Sequence, residues 1–246
     1  MSERDRVTER GAPQGFVPTR WTLVLAARGA ASPHAAGAMS ELCRIYWYPL
    51  YAYVRRRGHD VHEAEDLTQE FFARLLAKDY LADVDRARGK FRSFLLAALK
   101  HFLAKEWDRA HAQKRGGGHV VVPLDGASAE TRYSLEPSHA LTPEKLFERQ
   151  WALTVLEQVM SRLKAEFAAG GKARIFDALK GCLAGDDPDA TYAQIGARLD
   201  MTEGAVKVAV HRMRRRYREL LREEIAHTVA SPEEIKDEIR YLLSCL

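Results

Sequence analysis

Between Thr191 and Arg222 the chain reads TYAQIGARLDMTEGAVKVAVHRMRRRYRELLR. Val206, Val210, Met213, Tyr217 and Leu220 recur every three or four residues, so at about 100° per residue they share one face of a helix. That face belongs in a core. Turned away from it are Lys207, Val208, His211, Arg212 and Arg215, while Thr202 can cap the helix start after a turn at Asp200. Seven Lys or Arg against two Glu between Thr202 and Arg222 leave about +5, a surplus that a polyphosphate would neutralise. The preceding Tyr192, Ile195, Ala197 and Leu199 have the small and apolar pattern of a supporting helix, one that crosses a nucleic-acid backbone while its successor lies in the major groove. The stretch reads as a helix-turn-helix. The plainer alternative is a basic amphipathic helix that merely solvates its arginines.

Around this motif, 246 residues with 46% hydrophobic content can hold one large or two modest globular domains. Net charge is only +4, yet it is unevenly spread: Asp60 to Glu70 holds five acids and no Lys or Arg. Two partners of opposite charge are implied. Cys43, Cys182 and Cys245 are far apart and show no CxxC spacing, which fits a reducing compartment. No apolar run approaches the roughly 18 residues of a spanning helix, and MSERDRVTERGAPQG lacks a signal peptide's hydrophobic region. The expectation is a soluble cytoplasmic protein with no membrane contact.

The pattern predicts an all-α fold of two helical domains joined by a flexible linker. Residues 1–18 read as a mobile tail and 19–113 as a first helical domain. Residues 114–141, with three consecutive Gly and several Pro, read as the linker. A second domain over 142–226 begins at the cap candidate Thr142 before Pro143 and contains the helix-turn-helix. Residues 227–246 form a helical extension whose stripe is Ile235, Ile239, Leu242 and Leu243.

In HEAEDLTQEFFARLLA the spacing of Ala64, Leu67, Phe71 and Leu75 marks an inward face. Phe72 and Leu76 project elsewhere with Glu65 and Gln69, and Asp66 flanks them, giving an apolar strip edged by acids. That surface suits a basic helical partner, unless Phe72 and Leu76 are simply buried by a neighbouring helix. His59, His62, Glu63 and Asp66 are donors a metal could use, but their spacing is not specific. From Arg86 to Arg115, nine Lys or Arg against Glu106 and Asp108 leave about +7, interleaved with Phe91, Phe94, Phe102 and Trp107. Cations that track a backbone and rings on which bases stack are what melted DNA requires, and the loop at Gly89 could hold an extruded base. Helical spacing assigns most of these rings to the core, leaving one or two for DNA. No Gly-rich phosphate loop, HExxH or CxxC occurs, so the expectation is no catalytic residue, no metal and no cofactor.

Taken together, LCRIYWYPLYAYVRRRG, HEAEDLTQEFFARLL, KFRSFLLAALKHFL and TYAQIGARLDMTEGAVKVAVHRMRRR resemble bacterial RNA polymerase sigma factors of the extracytoplasmic-function group, over roughly residues 37–225. The resemblance implies partners: core RNA polymerase, through its β′ clamp coiled coil and its β subunit, and promoter DNA. Glu65, Asp66, Gln69, Phe72 and Leu76 would contact core enzyme. Arg88, Lys90, Phe91, Lys100, His101, Lys105 and Arg109 would recognise and open the minus-10 element. Thr202, Lys207, Val208, His211, Arg212 and Arg215 would read the minus-35 element.

Phe94 stands where the family usually has Trp, and His101 where it often has Asn, so base preference does not carry over. WTLVLAA and the acidic carboxyl-terminal extension resemble a branch linked to Ser/Thr kinases rather than to an obvious anti-sigma factor. A phosphate near Thr68 would add charge to the docking face, and one near Thr202 would sit at a helix start facing DNA. The rival reading is a stand-alone helix-turn-helix regulator that binds duplex DNA without polymerase.

Overall fold

The computed structural model describes residues 33–76, 90–112, 126–135, 141–183, 191–229 and 231–246. Among these the protein is all-helical, as expected. Its helices are α1 Pro33–Arg56, α2 Val61–Leu76, α3 Phe91–Ala112, α4 Gly126–Ser134, α5 Pro143–Ala169, α6 Ala173–Leu179, α7 Tyr192–Leu199, α8 Glu203–Ala226 and α9 Ile235–Ser244, with short 3-10 turns at Lys180–Leu183 and Pro232–Glu234. The amino-terminal tail of residues 1–18, Arg88, and the linker outside 126–135 and Leu141 fall outside the described residues.

Every residue from Ile45 to Val54 is buried. A helix with one apolar stripe buries only part of its circumference, so a helix buried all round must be covered from more than one side. That is the position of α1, which packs on α2 and makes its most extensive contact with α5. Tyr46, Tyr51 and Tyr53 of α1 and Trp151 of α5 are fully buried there. In this conformation the helices before and after the expected linker therefore share one continuous core. Helix α8 packs on the other stretch of α5, and α9 lies against both α8 and α5.

Helix α4 occupies residues that the sequence reading assigns to the linker. Its Glu130 accepts hydrogen bonds from the Tyr51 hydroxyl (2.5 Å) and from Arg55 Nε and Nη2 (3.0 and 2.8 Å) on α1. Those bonds hold the Glu130 carboxyl below the usual carboxylate range. The Arg55 guanidinium also lies 4.9 Å from the centroid of the Tyr133 ring. Alternating polar and small residues carry no period for so short a helix, and its order comes from contacts with α1 and, through Arg132 and Glu157, with α5.

Local signals account for the helix boundaries in the second half. Thr142 accepts a hydrogen bond from the Lys145 amide with Pro143 in the first turn, and α5 ends at Gly170 and Gly171, the latter at φ +68°. No described helix is long and apolar enough to cross a membrane.

Candidate nucleic-acid interface

Thr191 starts α7 with a reciprocal cap: its side chain accepts from the Gln194 amide while the Gln194 side chain accepts from the Thr191 amide. The helix ends at Asp200, which adopts the left-handed conformation at φ 55°. Both the Asp200 and Met201 amides donate to the Gly196 carbonyl, so the turn folds back on that glycine. Thr202 then caps α8, accepting from the Ala205 amide at 3.2 Å. Val206, Val210, Met213 and Leu220 are buried and Tyr217 is half-buried, the face that the spacing predicts.

On the opposite face, Thr202, Lys207, Val208, His211, Arg212 and Arg215 are all exposed. Among the described residues Lys207 and Arg215 make only local pairs, with Glu203 at 2.7 Å and Glu219 at 3.5 Å, both four residues away on the same helix. Such exposed pairs are weak and exchange readily for a phosphate. Two other arginines of the run are structural. Arg214 Nε donates to the Cys182 carbonyl at 2.8 Å, and Arg216 forms a bidentate pair with Glu166 of α5, both bonds 2.8 Å. The positive charge of α8 is thus sorted by position around the helix, part bracing α5 and part facing solvent.

The second basic surface lies on α3. His101, Lys105 and Arg109 are exposed, as is Trp107 at 63%. Lys100 pairs with Glu144 in the first turn of α5 at 2.8 Å, an interaction that raises the lysine pKa and lowers that of the carboxyl. Phe91 is fully buried, so in this conformation its ring is not on offer to a base, and Phe94 is half-buried. Lys90 and, two residues on, Arg92 both engage Glu238 of α9, and Arg92 is nearly sealed from solvent.

The acidic surface lies on α2. Asp66 is exposed and Glu65 and Gln69 half-exposed, and among the described residues neither Glu65 nor Asp66 has an ion-pair partner. Glu70 is different: Arg74 ties it, at 2.7 Å, to Glu106 of α3, at 2.5 Å. Phe72 is 3% exposed, its ring 6.0 Å from that of Phe71 in an edge-on contact. It is part of the core in this conformation, not of the apolar strip expected beside the acids. The side chain of Leu76 lies outside what is described.

Thr68 is also fully buried, its hydroxyl donating to the Ala64 carbonyl at 2.7 Å, so no kinase reaches it in this conformation. Asp60 and Glu63 spend their carboxylates on the start of α2, where the Glu63 amide donates to Asp60 at 2.8 Å and the Asp60 amide to Glu63 at 3.4 Å. Among the described residues no three His, Cys, Asp or Glu side chains converge as a metal site would need.

Residues 46–112, the span from within α1 to the end of α3, match sigma-70 region 2. The chain is also 24% identical, over 186 residues, to the ECF RNA polymerase sigma factor SigW of Bacillus subtilis, an alignment covering 76% of this chain and 90% of the relative. Together these two findings support a sigma factor of the sigma-70 family, of the extracytoplasmic-function kind. No solved structure matches the chain. Within this chain, periodicity alone missed the pairing of Lys90 and Arg92 with Glu238. The available signal was Glu238 itself, an acid three residues from Ile235 and four from Leu242 on an otherwise apolar stripe.

Proposed function

We propose that this sigma factor binds core RNA polymerase through α2 and places two DNA-reading surfaces, α3 and α8, on the minus-10 and minus-35 elements of a promoter. The observation that carries the reading is the match of residues 46–112 to sigma-70 region 2, which spans both the acidic α2 and the basic α3.

Glu65, Asp66 and Gln69 supply charge and hydrogen bonding for a basic helical partner, the β′ clamp coiled coil in this reading, with β as a second contact. Buried Phe72 supports that face from beneath, and Leu76 is a further core-polymerase contact in this reading. Arg88, Lys90, Phe91, Lys100, His101, Lys105 and Arg109 form the minus-10 surface. Opening a base pair there costs a few kcal/mol, offset by phosphate contacts and stacking on an exposed ring. Thr202, Lys207, Val208, His211, Arg212 and Arg215 form the minus-35 surface, with α7 as support and α8 in the major groove. Residues 19–113 and 142–226 would act as separate domains on these elements, hinged by 114–141. None of these roles makes or breaks a covalent bond. An anti-sigma factor or a Ser/Thr kinase is the class of regulator to look for, with exposed Thr202 the accessible phosphate acceptor.

The test is reconstitution. Purified full-length chain is added to core polymerase and a pool of genomic fragments, and run-off transcripts are sequenced. Transcripts that require both components support the reading and give the promoter directly. Strong duplex binding without any affinity for core polymerase refutes it in favour of a stand-alone regulator.

A further inference from the structure

The carboxyl-terminal segment Ser231–Leu246 carries four acids and two bases and ends the chain with α9. Its Glu238 side chain is 0% exposed and meets two cations from the start of α3: Lys90 Nζ lies 2.5 Å from Oε2, and Arg92 Nη1 donates to Oε1. The Arg92 guanidinium is sandwiched between the Trp151 ring of α5, 4.8 Å away, and the Tyr241 ring of α9, 4.2 Å away. The Phe91 amide, an orphan donor in the first turn of α3, finds its acceptor in the Thr228 carbonyl just after α8. Three consecutive residues at the head of α3 are thus held by the far end of the chain.

We infer that α9 is an autoinhibitory latch, with the Glu238 carboxylate occupying the position beside Lys90 and Arg92 that a DNA phosphate takes when the protein engages a promoter. This rests on the proposed role of α3 in reading DNA. The chemistry favours exchange. A carboxylate and a phosphate present the same oxygen acceptors to Lys and Arg. A buried ion cluster costs desolvation on closing and regains hydration on opening, so it fixes one arrangement more strongly than it stabilises it. The closed form also joins the helices on either side of residues 114–141 through α1 and α5, whereas two promoter elements require the reading surfaces to sit apart. Release of Glu238 frees the head of α3 and removes one of the ties that hold those halves together.

The full-length chain is compared with its Glu238→Gln and Tyr241→Ala variants. The first neutralises the carboxylate while keeping a hydrogen-bonding side chain. The second removes the ring over Arg92 and spares the buried Leu242. Hydrogen exchange is followed at the Phe91 amide and across α9, and run-off transcription with core polymerase is titrated against the concentration of each protein. If the free chain is closed about nine times in ten, full release increases apparent affinity for core and promoter about tenfold. The expected result is faster exchange at both places together with a leftward shift of the transcription titration. Faster exchange with no such shift overturns the latch and leaves the sigma reading intact, as does unchanged exchange in both variants. Absence of a transcript from all three proteins, with core polymerase competent on another sigma factor, overturns the sigma reading and the latch with it. A Glu238→Gln protein that fails to fold leaves Tyr241→Ala to decide.

Discussion

Replacing Gly196 with Ala sets two local effects against each other, and the structure decides the sign. In an unconstrained helix the change is favourable by about 1 kcal/mol. At Gly196 the added Cβ would lie 2.5 Å from the Met201 carbonyl oxygen, with the Met201 carbonyl carbon and Val206 Cγ2 both at 3.5 Å. Ordinary contact begins near 3.4 Å, so the turn must retreat by about 0.9 Å. That same turn is pinned by the Asp200 and Met201 amides, which donate to the Gly196 carbonyl. Overpacking of this kind costs about 1–3 kcal/mol, and distorting a hydrogen bond about 1 more. The expected net effect is a destabilisation of about 1–3 kcal/mol, or about 2–4 °C in Tm for each kcal/mol in a chain of this size. Duplex affinity should fall as well, because the turn sets the angle of α8. Gly204 is the internal control: nothing lies within 4 Å of the point where its Cβ would stand, so Gly204→Ala should gain up to about 1 kcal/mol. Urea melts of the three full-length proteins give both numbers. Two substitutions of the same sign and size would refute the close-approach argument.

Charge reversal at Glu65 and Asp66 should reduce core polymerase binding by at least about tenfold while leaving duplex DNA affinity unchanged, read by separate titrations of each partner; equal loss of both would mean misfolding. Arg212→Ala and Arg215→Ala should each weaken duplex binding and lower the slope of log K against log salt by about 1. An unaltered slope would remove that face from the DNA contact. Glu130 offers a pH test. Its carboxyl is held low chiefly by the Arg55 hydrogen bonds, with burial opposing and the Tyr51 hydroxyl adding to the effect. Its contribution to stability is therefore complete above the ordinary carboxylate pKa of about 4.3 and is lost as pH falls through the lowered value. Glu130→Gln should be less stable than the parent near neutrality by no more than about 1 kcal/mol, since the pair is partly exposed, and the gap should close in acid. Parallel stability curves for the two proteins would show that the carboxylate contributes nothing.

What was written into the sequence is what a helix expresses within a few turns. Thr142 with Pro143, Asp200 and Thr202 mark boundaries because a cap and its amides lie within three or four residues of each other. The buried stripe of α8 is legible for the same reason: its period is the helix's own. The acid-rich α2, the basic α3 and the outward face of α8 were legible as charged surfaces too. Their occupants inside the protein were not. Lys100 meets Glu144, Arg216 meets Glu166, and Arg92 meets Glu238 from 146 residues away, and no spacing rule links such partners. Phe72 followed the same logic, since an apolar residue beside a stripe is surface or core according to which helix lies next to it. Local periodicity determined the helices, their caps and the sign of each face. Only the packing of α1, α5, α8 and α9 decided which charges remain free for a partner, because burial and ion pairing depend on distances in space that chain order does not encode.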